Sequence, residues 1–389
     1  MSNPSLASPV SARRPADIAD IAVPVVLMLA GMALRYLAYA WVYEGPSPAG
    51  FVRSLCVWDC YWFSDIAQHG YQAYPEQVNF GGPAGIANWA FFPLYPALAA
   101  VIGRLTSLAP DIVGTLVSPL LTLAAVMVSR PLFRENRGAF LLFAVFLLAG
   151  PFSFYFSTLY SESLFVLLTV LAFVLLEDGR YVGAGVAGAL LSATRVTGVL
   201  FVLPLVIEAY RQHRRDGGTR IGFLTALPGR PDLVLGVVLV PAGVVAFMAW
   251  LYWTTGDALA FAHIQRGWDR VLGNPIAFLL AGLDPRQSSW LSDIQMMAFA
   301  TLGGFGLVAV LLVQRRMGMA VFCLAAMLLS LSAGLTSMPR FIAGLAPLWI
   351  ALATVLARYR PLLIIAVLAC LALDFRLTVL WLHQQRALM

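Results

Sequence analysis

The sequence has little charge and no lysine. Only 11% of its 389 residues are charged, and the net charge of +6 rests on 25 arginines against 19 acidic side chains. A nucleic-acid-binding domain normally gathers positive charge on one soluble face, whereas these arginines lie between apolar runs. Membrane topology is the simpler explanation of the charge, and we expect no nucleic-acid partner.

Cysteine and histidine are also scarce, with four of each. Cys323 and Cys370 lie in apolar runs, where we expect small core residues. Cys56 and Cys60 are about one helical turn apart, so a disulfide is conceivable. A strained local bridge would constrain little, however, and we do not expect one. Because the ligand spacings of zinc sites are absent, no structural zinc site is predicted.

Apolar residues are abundant: they make up 60% of the chain, and the mean hydropathy is +0.83. This composition lies far outside that of soluble domains and predicts a polytopic membrane protein with one integral-membrane domain over residues 1–389. The first apolar run is too long for the core of a signal peptide. An uncleaved first span is therefore the preferred interpretation, with a cleaved signal as the alternative.

Nine apolar stretches approach the roughly 20 residues that cross a bilayer. They are 18–43, 111–129, 138–157, 160–177, 232–253, 292–313, 317–335, 341–357 and 361–381. Two further segments, 89–105 and 181–210, are ambiguous. Arginines in short loops mark the cytoplasmic side, and this rule is best met if 89–105 stays outside and 181–210 is a pair of short helices meeting at Arg195. It predicts about 11 spans with the N-terminus in the cytoplasm.

This topology places several non-random segments on one outer face. They are 44–110, 151–162, 254–291 and 336–340. The first is the longest connection in the protein, and long ordered loops in compact proteins are usually functional. The first outer loop is therefore the place to look for chemistry.

The stretch VWDCYWFSDIAQHGY, residues 57–71, puts two aspartates among aromatic residues. On a helix, Asp59 and Asp65 would point about 240° apart, so they would not share a proton. Asp59 at the start of this helix fits either an N-cap or a catalytic carboxylate. Asp65 fits a structural role better, and Glu76, in the glycine-rich part of the loop, fits a solvated carboxylate.

Three further charged residues lie at or within apolar runs. Glu162, in FSTLYSESLF, is either a helix cap or a group that bonds sugar hydroxyls. Arg195 lies inside ALLSATRVTGVLF and needs an anionic partner, which is either a protein carboxylate or a lipid phosphate. Arg340, in SMPRFIAG, has the same two options, and its simpler interpretation is a snorkelling arginine at the membrane boundary.

The loop 254–291 contains DALAFAHIQRGWDR. His263, Gln265, Trp268 and Arg270 follow one another at intervals of two or three residues. A lone histidine is more often structural, yet one beside tryptophan and arginine could contact a sugar ring or a phosphate. An indole stacks well on the apolar face of a sugar, and a guanidinium fork suits a phosphate.

These stretches together resemble the PIG-V-like mannosyltransferases, a family within the GT-C superfamily of multi-span glycosyltransferases. The matching segments are WDCYWFSDIAQHGY (58–71), WAFFPLYP (89–96), FSTLYSESLF (156–165), ATRVTGVL (193–200), FAHIQRGW (261–268) and PRF (339–341). They cover most of the chain in the family's order, and the combination is far more specific than any one motif. The spacer GGPAGIAN (81–88) departs from the pattern and could reshape the acceptor side.

The resemblance implies an all-α GT-C-type fold and an inverting transfer of a sugar, mannose in the first instance. The donor would be a polyprenyl-phosphate sugar, and the acceptor a lipid-linked or membrane-proximal molecule. It further implies Asp59 as the catalytic base, with Arg340 or Arg195 stabilising the leaving phosphate. An arginine-held phosphate needs no obligatory metal. The substrate-binding candidates are Trp58, Asp65, Glu76, Glu162, Arg195, His263, Gln265, Trp268 and Arg340.

The alanine-rich, all-arginine composition suggests a bacterial source. The expected location is therefore the inner membrane, with membrane lipids around the chain and the active site on the extracytoplasmic face. A multi-span transporter or flippase of an anionic lipid or glycolipid is the main alternative. Transporters tend to place ionisable groups near the bilayer midplane, whereas most carboxylates here fall at span ends and in outer loops. A subunit that works only with a partner is a third possibility.

Overall fold

The protein is α-helical wherever the structure describes it. The computed structural model describes residues 18–75, 85–268, 270–284, 286 and 292–389, and none of these residues forms a β-strand. Glu76 and part of the 81–88 spacer lie outside the described residues. The all-α fold class expected from the sequence is confirmed.

The helices follow one another with short connections. The first part of the chain contains α1 (Ile18–Val42), α2 (Pro48–Leu55), α3 (Asp59–His69), α4 (Leu94–Thr106), α5 (Pro110–Ser129), α6 (Arg137–Leu148) and α7 (Glu162–Glu177). The middle contains α8 (Tyr181–Thr194), α9 (Val202–Arg215), α10 (Arg220–Ala226), α11 (Pro231–Leu239), α12 (Ala242–Thr255), α13 (Ala260–His263) and α14 (Pro275–Leu283). The last part contains α15 (Asp293–Val313), α16 (Met317–Leu331), α17 (Met338–Ala343), α18 (Ala346–Leu356) and α19 (Arg360–Leu382).

Several helices are long and apolar enough to cross a membrane. Among the described residues these are α1, α15, α19 and the helix Pro110–Phe133, and α11 with α12 meets the same criterion as one span bent by 40°. Shorter apolar helices are α4, α6, α8, α16 and α18. The protein is thus an integral membrane protein, while the predicted count of about 11 spans is not confirmed.

Some predicted spans are interrupted where the sequence suggested continuity. The stretch 138–157 is helical only as α6, after which a 3₁₀ turn covers Ser153–Ser157. The stretch 341–357 is divided between α17 and α18. By contrast, 181–210 does form two helices that meet at Arg195, whose extended backbone (φ −156°, ψ 144°) ends α8. That prediction is confirmed.

The central helices are buried on almost every side. Most residues of α6 and α7 are inaccessible, as expected for helices that are apolar all round. A row of helices runs from α5 through α7 and α8 to α11. Glycine permits the last contact, because a Cβ on Gly185 would lie 2.3 Å from the Gly236 carbonyl oxygen. Small residues at such crossings are typical of membrane helices.

A buried ion pair joins the first span to the last. Arg35 Nη1 in α1 lies 3.0 Å from Asp374 Oδ2 in α19 and 2.6 Å from the Ser153 hydroxyl oxygen. Asp374 also accepts a hydrogen bond from Ser153. Both charges therefore have partners inside the protein, and the network holds the turn that leads toward α7.

Candidate active site

One cavity collects polar residues from widely separated parts of the chain. Its volume is about 160 Å³. Six of the predicted site residues line it: Asp59, Glu162, Arg195, Gln265, Trp268 and Arg340. They belong to the N-termini of α3 and α7, the break after α8, the 3₁₀ turn Ile264–Trp268 and α17. The fold thus brings together motifs that are up to 281 residues apart.

Asp59 is paired with an arginine and does not cap its helix. The N-cap of α3 is Trp58, and no side chain caps that end. The Asp59 Oδ2 atom accepts a hydrogen bond of 2.5 Å from Arg340 Nη1. Its other carboxylate oxygen, Oδ1, has no hydrogen bond within the described part of the chain, and the side chain is 19% exposed. The N-cap interpretation is therefore wrong, and one oxygen remains available to a ligand.

Glu162 connects two arginines in the wall of the cavity. Its Oε1 atom accepts a hydrogen bond of 2.6 Å from Arg195 Nη1, and Arg340 Nε lies 3.5 Å away, within ion-pair range. Glu162 is only 1% exposed, and its Oε2 atom has no hydrogen-bond partner among the described residues. The anionic partner that Arg195 requires is thus a protein carboxylate. Glu162 still offers one acceptor oxygen in the cavity wall.

A third arginine, Arg270, completes the set of charges. Its Nη2 atom donates to the Ser337 hydroxyl at 3.1 Å. Burial lowers the pKa of this guanidinium, while the charge of Asp59 opposes the shift, and arginine remains protonated at neutral pH. Three guanidinium groups therefore face two carboxylates. The sequence analysis noted Arg270 without selecting it, because a boundary arginine resembles the other arginines at span ends.

Aromatic rings surround the charged groups. The Phe341 ring lies between two arginines, with ring-centre distances of 4.8 Å to Arg195 Cζ and 5.3 Å to Arg340 Cζ. Tyr160 contacts the other side of Arg340 at 5.4 Å. These cation–π contacts hold guanidinium groups in a partly dry site at little cost in hydration.

One side of the cavity is an aromatic wall formed by Trp62, Phe63, Phe91 and Trp268. The Trp62 ring stacks on Phe91 at 5.9 Å and meets Trp268 edge-on at 5.5 Å. Phe63 packs edge-on against Phe91 at 5.3 Å. Phe63, Phe91 and Trp268 line the cavity. The aromatic residues of the 57–71 motif therefore support a surface suited to a sugar ring or a lipid.

Asp65 lies outside the cavity and supports this wall from behind. Its Oδ2 atom accepts a hydrogen bond of 2.8 Å from buried Asn88, and its Oδ1 atom lies 3.0 Å from His69 Nδ1. Asn88 begins the short turn that leads to Phe91. The structure thus ties Asp65 to the position of the wall rather than to the cavity.

Trp58 and His263 are also not brought into the cavity lining. Trp58 is the N-cap residue of α3. His263 is 59% exposed, and its Nδ1 atom lies 2.6 Å from Asp257 Oδ2. This hydrogen bond lowers the pKa of the Asp257 carboxyl. Substrate contacts of Trp58, Asp65 and His263 stay predictions without geometric support, and Glu76 lies outside the described residues.

The two cysteines of the 57–71 region form a disulfide. Cys56 and Cys60 are bonded, with their Cα atoms 5.2 Å apart. The expectation of free thiols was therefore wrong. The helix does not run through both cysteines, because Cys56 follows α2 and Cys60 is the second residue of α3. The bridge joins two elements across a sharp turn instead of two turns of one helix.

Metal-ligating residues do not cluster near this cavity. Over the described ranges, no three His, Cys, Asp or Glu side chains are placed so that they could hold one metal ion. The absence of a metal requirement remains a prediction.

Known proteins resemble this chain in structure but not in sequence. No family model and no curated protein matches it. ArnT from Cupriavidus metallidurans, solved bound to undecaprenyl phosphate, matches with a TM-score of 0.52 and 16% identity over 87% of this chain. The oligosaccharyltransferase of Archaeoglobus fulgidus, in complex with zinc and sulfate, matches with a TM-score of 0.49 and 14% identity over 92% of this chain.

These matches concern the fold. The aligned part corresponds to 60% of ArnT and 53% of the oligosaccharyltransferase, so the chain spans well under two thirds of either protein. The likeness to ArnT confirms the GT-C-type fold expected from the sequence. Membership of the PIG-V-like family stays a prediction.

Proposed function

We propose that the protein is a membrane glycosyltransferase that moves a sugar from a polyprenyl-phosphate donor to a hydroxyl group of a lipid-linked or membrane-proximal acceptor. One observation carries the proposal: a carboxylate with a free oxygen, Asp59, shares a cavity with three arginines and an aromatic wall. This arrangement provides a base, a phosphate site and a sugar platform. ArnT, which shares the fold, was solved with a polyprenyl phosphate bound.

The arginines are suited to the phosphate of the donor. Three guanidinium groups face two carboxylates, so the cavity carries an excess of one positive charge before a ligand enters. A sugar-1-phosphate diester carries one negative charge, and its departing phosphate monoester gains a second. Arg195, Arg270 and Arg340 would therefore stabilise the leaving group more strongly than the bound donor, which lowers the barrier.

Asp59 would act as the general base of a single displacement. The acceptor oxygen attacks the anomeric carbon, and its proton passes to Asp59 Oδ1. The bond from the anomeric carbon to the phosphate oxygen breaks, and its electron pair leaves with the phosphate. Inversion at the anomeric carbon follows. Arg340 donates to the other oxygen of Asp59 and so fixes the direction of the carboxylate.

Trp268 and Gln265 would hold the sugar. The indole of Trp268 is part of the aromatic wall, and the Gln265 amide lines the same cavity. Stacking on an apolar sugar face and hydrogen bonding to hydroxyl groups are the usual contacts of these side chains. The family resemblance selects mannose as the sugar, and the phosphate-binding arginines make an obligatory metal unnecessary.

The disulfide supports an extracytoplasmic site. Cys60 follows Asp59 directly, and disulfides persist in oxidising compartments such as the bacterial periplasm. A site open to that side of a bacterial inner membrane would receive donors and acceptors presented on its outer leaflet. This placement agrees with the topology inferred from arginine positions.

Transfer by the purified protein is the direct test. The full chain in lipid vesicles receives polyprenyl-phosphate mannose labelled in the sugar, together with membrane lipids, in buffer containing EDTA. We expect label to move to a new lipid product. A flippase would instead change the leaflet of the labelled donor without forming a product, and that result would contradict the proposal.

Asp59→Asn and Asp65→Asn form a matched pair for the catalytic assignment. Both aspartates belong to α3 and have similar exposure, 19% and 20%. Removing a general base typically lowers the rate by about 10² to 10⁴-fold. We expect such a loss for Asp59→Asn and a much smaller one for Asp65→Asn. Full activity of Asp59→Asn would show that another group accepts the proton.

A further inference from the structure

The Cys56–Cys60 disulfide closes a small ring around the residues that precede Asp59. Cys56 follows the last residue of α2, and Cys60 lies in the first turn of α3. The ring contains Val57, Trp58 and Asp59. The bridge therefore fixes the angle at which α3 leaves α2, and with it the start of the helix that carries the proposed base.

The turn inside this ring is unusual for its sequence. The Cys60 amide donates to the Val57 carbonyl at 3.2 Å, and Trp58 has φ 54° and ψ −116°. These angles belong to the first central position of a type II′ turn, where glycine is the usual residue. A tryptophan persists there only when its surroundings hold the backbone in place.

Few other contacts hold Trp58 itself. Its indole nitrogen is buried and has no hydrogen-bond partner among the described residues. The hydroxyl of Tyr160 contributes from outside the ring, because it accepts from the Asp59 amide at 3.1 Å and donates to the Val57 carbonyl at 2.9 Å. The covalent bridge and this one hydroxyl thus hold the turn from two sides.

We propose that the Cys56–Cys60 disulfide positions the Asp59 carboxylate against Arg340, so that reduction of the bridge lowers turnover without removing donor binding. The inference rests on the proposed function for its kinetic part. Without the bridge the Trp58 backbone relaxes toward negative φ, and the Cα–Cβ bond of Asp59 turns with it. Displacing a reacting group by about 1 Å can reduce the rate by about 10²-fold.

Positioning can be separated from simple stabilisation. A disulfide stabilises the folded state mainly in proportion to the loop that it closes, and this one joins residues only four apart. The donor contacts come mostly from Arg195, Arg270 and Trp268, which lie on other elements. Loss of the bridge should therefore change kcat far more than the KM for the donor.

The test uses the full chain carrying Cys323→Ala and Cys370→Ala, so that one bridge is the only target. A water-soluble phosphine delivers two electrons to the S–S bond and takes up an oxygen atom from water, leaving two thiols. Mannose transfer is measured before reduction, after reduction and after reoxidation. Cys56→Ser provides a bridge-free protein that retains the buried Cys60 side chain.

A second readout does not depend on transfer. Carboxylates are labelled with a carbodiimide and an amine and then quantified by mass spectrometry, with Asp65 as the internal control because its exposure nearly equals that of Asp59. We expect reduction to raise the labelling of Asp59 several-fold, because it leaves Arg340, and to leave Asp65 unchanged.

The expected kinetic result is a fall in kcat of about 10²-fold with donor KM within about twofold, reversed by reoxidation. Cys56→Ser should match the reduced protein and not respond to the phosphine. Unchanged labelling of Asp59 after reduction overturns the proposal, whatever happens to the rate. If the oxidised protein transfers no sugar, the proposed function fails and the labelling alone decides the positioning role.

Discussion

At the scale of single residues, Glu162 holds the charges of the cavity together. It pairs with Arg195 at 2.6 Å and lies 3.5 Å from Arg340 while being 1% exposed. A buried carboxylate between two guanidinium groups neutralises part of their repulsion. Its free Oε2 atom also offers an acceptor to a sugar hydroxyl. The same side chain can thus stabilise the fold and contact a ligand.

Glu162→Gln should therefore lower both stability and turnover. The amide keeps the size of the side chain but leaves two buried arginines without their counter-charge, and breaking a buried pair commonly costs about 3–5 kcal/mol. The midpoint of thermal unfolding in detergent measures the first effect, and mannose transfer the second. Adding Arg195→Gln should recover part of the stability and none of the activity. A double variant no more stable than Glu162→Gln would contradict this coupling.

Arg270 is predicted to bind the donor phosphate. Arg270→Gln removes a charge-assisted contact worth about 1.5–3 kcal/mol, so the donor KM should rise about tenfold or more. Arg266→Gln is the matched control, because Arg266 lies in the neighbouring turn, is exposed and does not line the cavity. Steady-state kinetics with varied donor concentration distinguish the two. Equal effects of both variants would indicate a general loss of positive charge.

At the scale of elements, breaks in helices place the functional groups. Arg195 follows the end of α8, Asp59 opens α3 and Glu162 opens α7. An acidic residue in the first turn of a helix is also favoured by the helix dipole. Helix termini therefore bring charged side chains to the cavity while the apolar helix bodies remain in the core.

How much of this the sequence could foretell depended on the kind of signal. Arg195 revealed its break, because a charge inside an apolar run needs a partner. The pairing of Asp59 with Arg340 could not be derived, since contacts between residues 281 positions apart depend on the tertiary packing. The disulfide was missed because a continuous helix was assumed through residues 56–60, and nothing in the sequence indicated the turn at Trp58.

Helix packing at Gly185 yields a prediction with a built-in control. A Cβ there would lie 2.3 Å from the Gly236 carbonyl oxygen, whereas a Cβ on Gly303 in α15 would meet nothing within 4 Å. Gly185→Ala should destabilise the protein by about 1–3 kcal/mol through overpacking, and Gly303→Ala should not. Thermal unfolding of both variants decides the matter. A stable Gly185→Ala protein would mean that α8 and α11 can separate without penalty.

At the scale of the whole molecule, the cavity is assembled from segments that the arginine distribution had placed on one outer face. The described parts of the stretches 44–110, 151–162, 254–291 and 336–340 all contribute to it. Four separate connections converging on one site require a common side of the membrane. The fold thus agrees with the inferred topology, although the side itself is a matter for experiment.

Labelling from outside the cell tests that side. In a protein with Cys323→Ala and Cys370→Ala, a single cysteine is introduced as Tyr74→Cys, at a position 82% exposed, or as Glu135→Cys, in the exposed loop before α6. A membrane-impermeant maleimide should label the first in intact cells and the second only after permeabilisation. Labelling of both from the same side would overturn the topology between the two loops.

Phe341 has a consequence for how the donor arrives. Its ring lies between Arg195 and Arg340 and contacts both guanidinium groups. With an aromatic face between them and Glu162 beside them, the two cations are held in place before any phosphate is present. The donor would therefore enter a preorganised site, and little ordering of side chains would be subtracted from its affinity. Capture of the donor should then depend on how fast the lipid diffuses to the cavity.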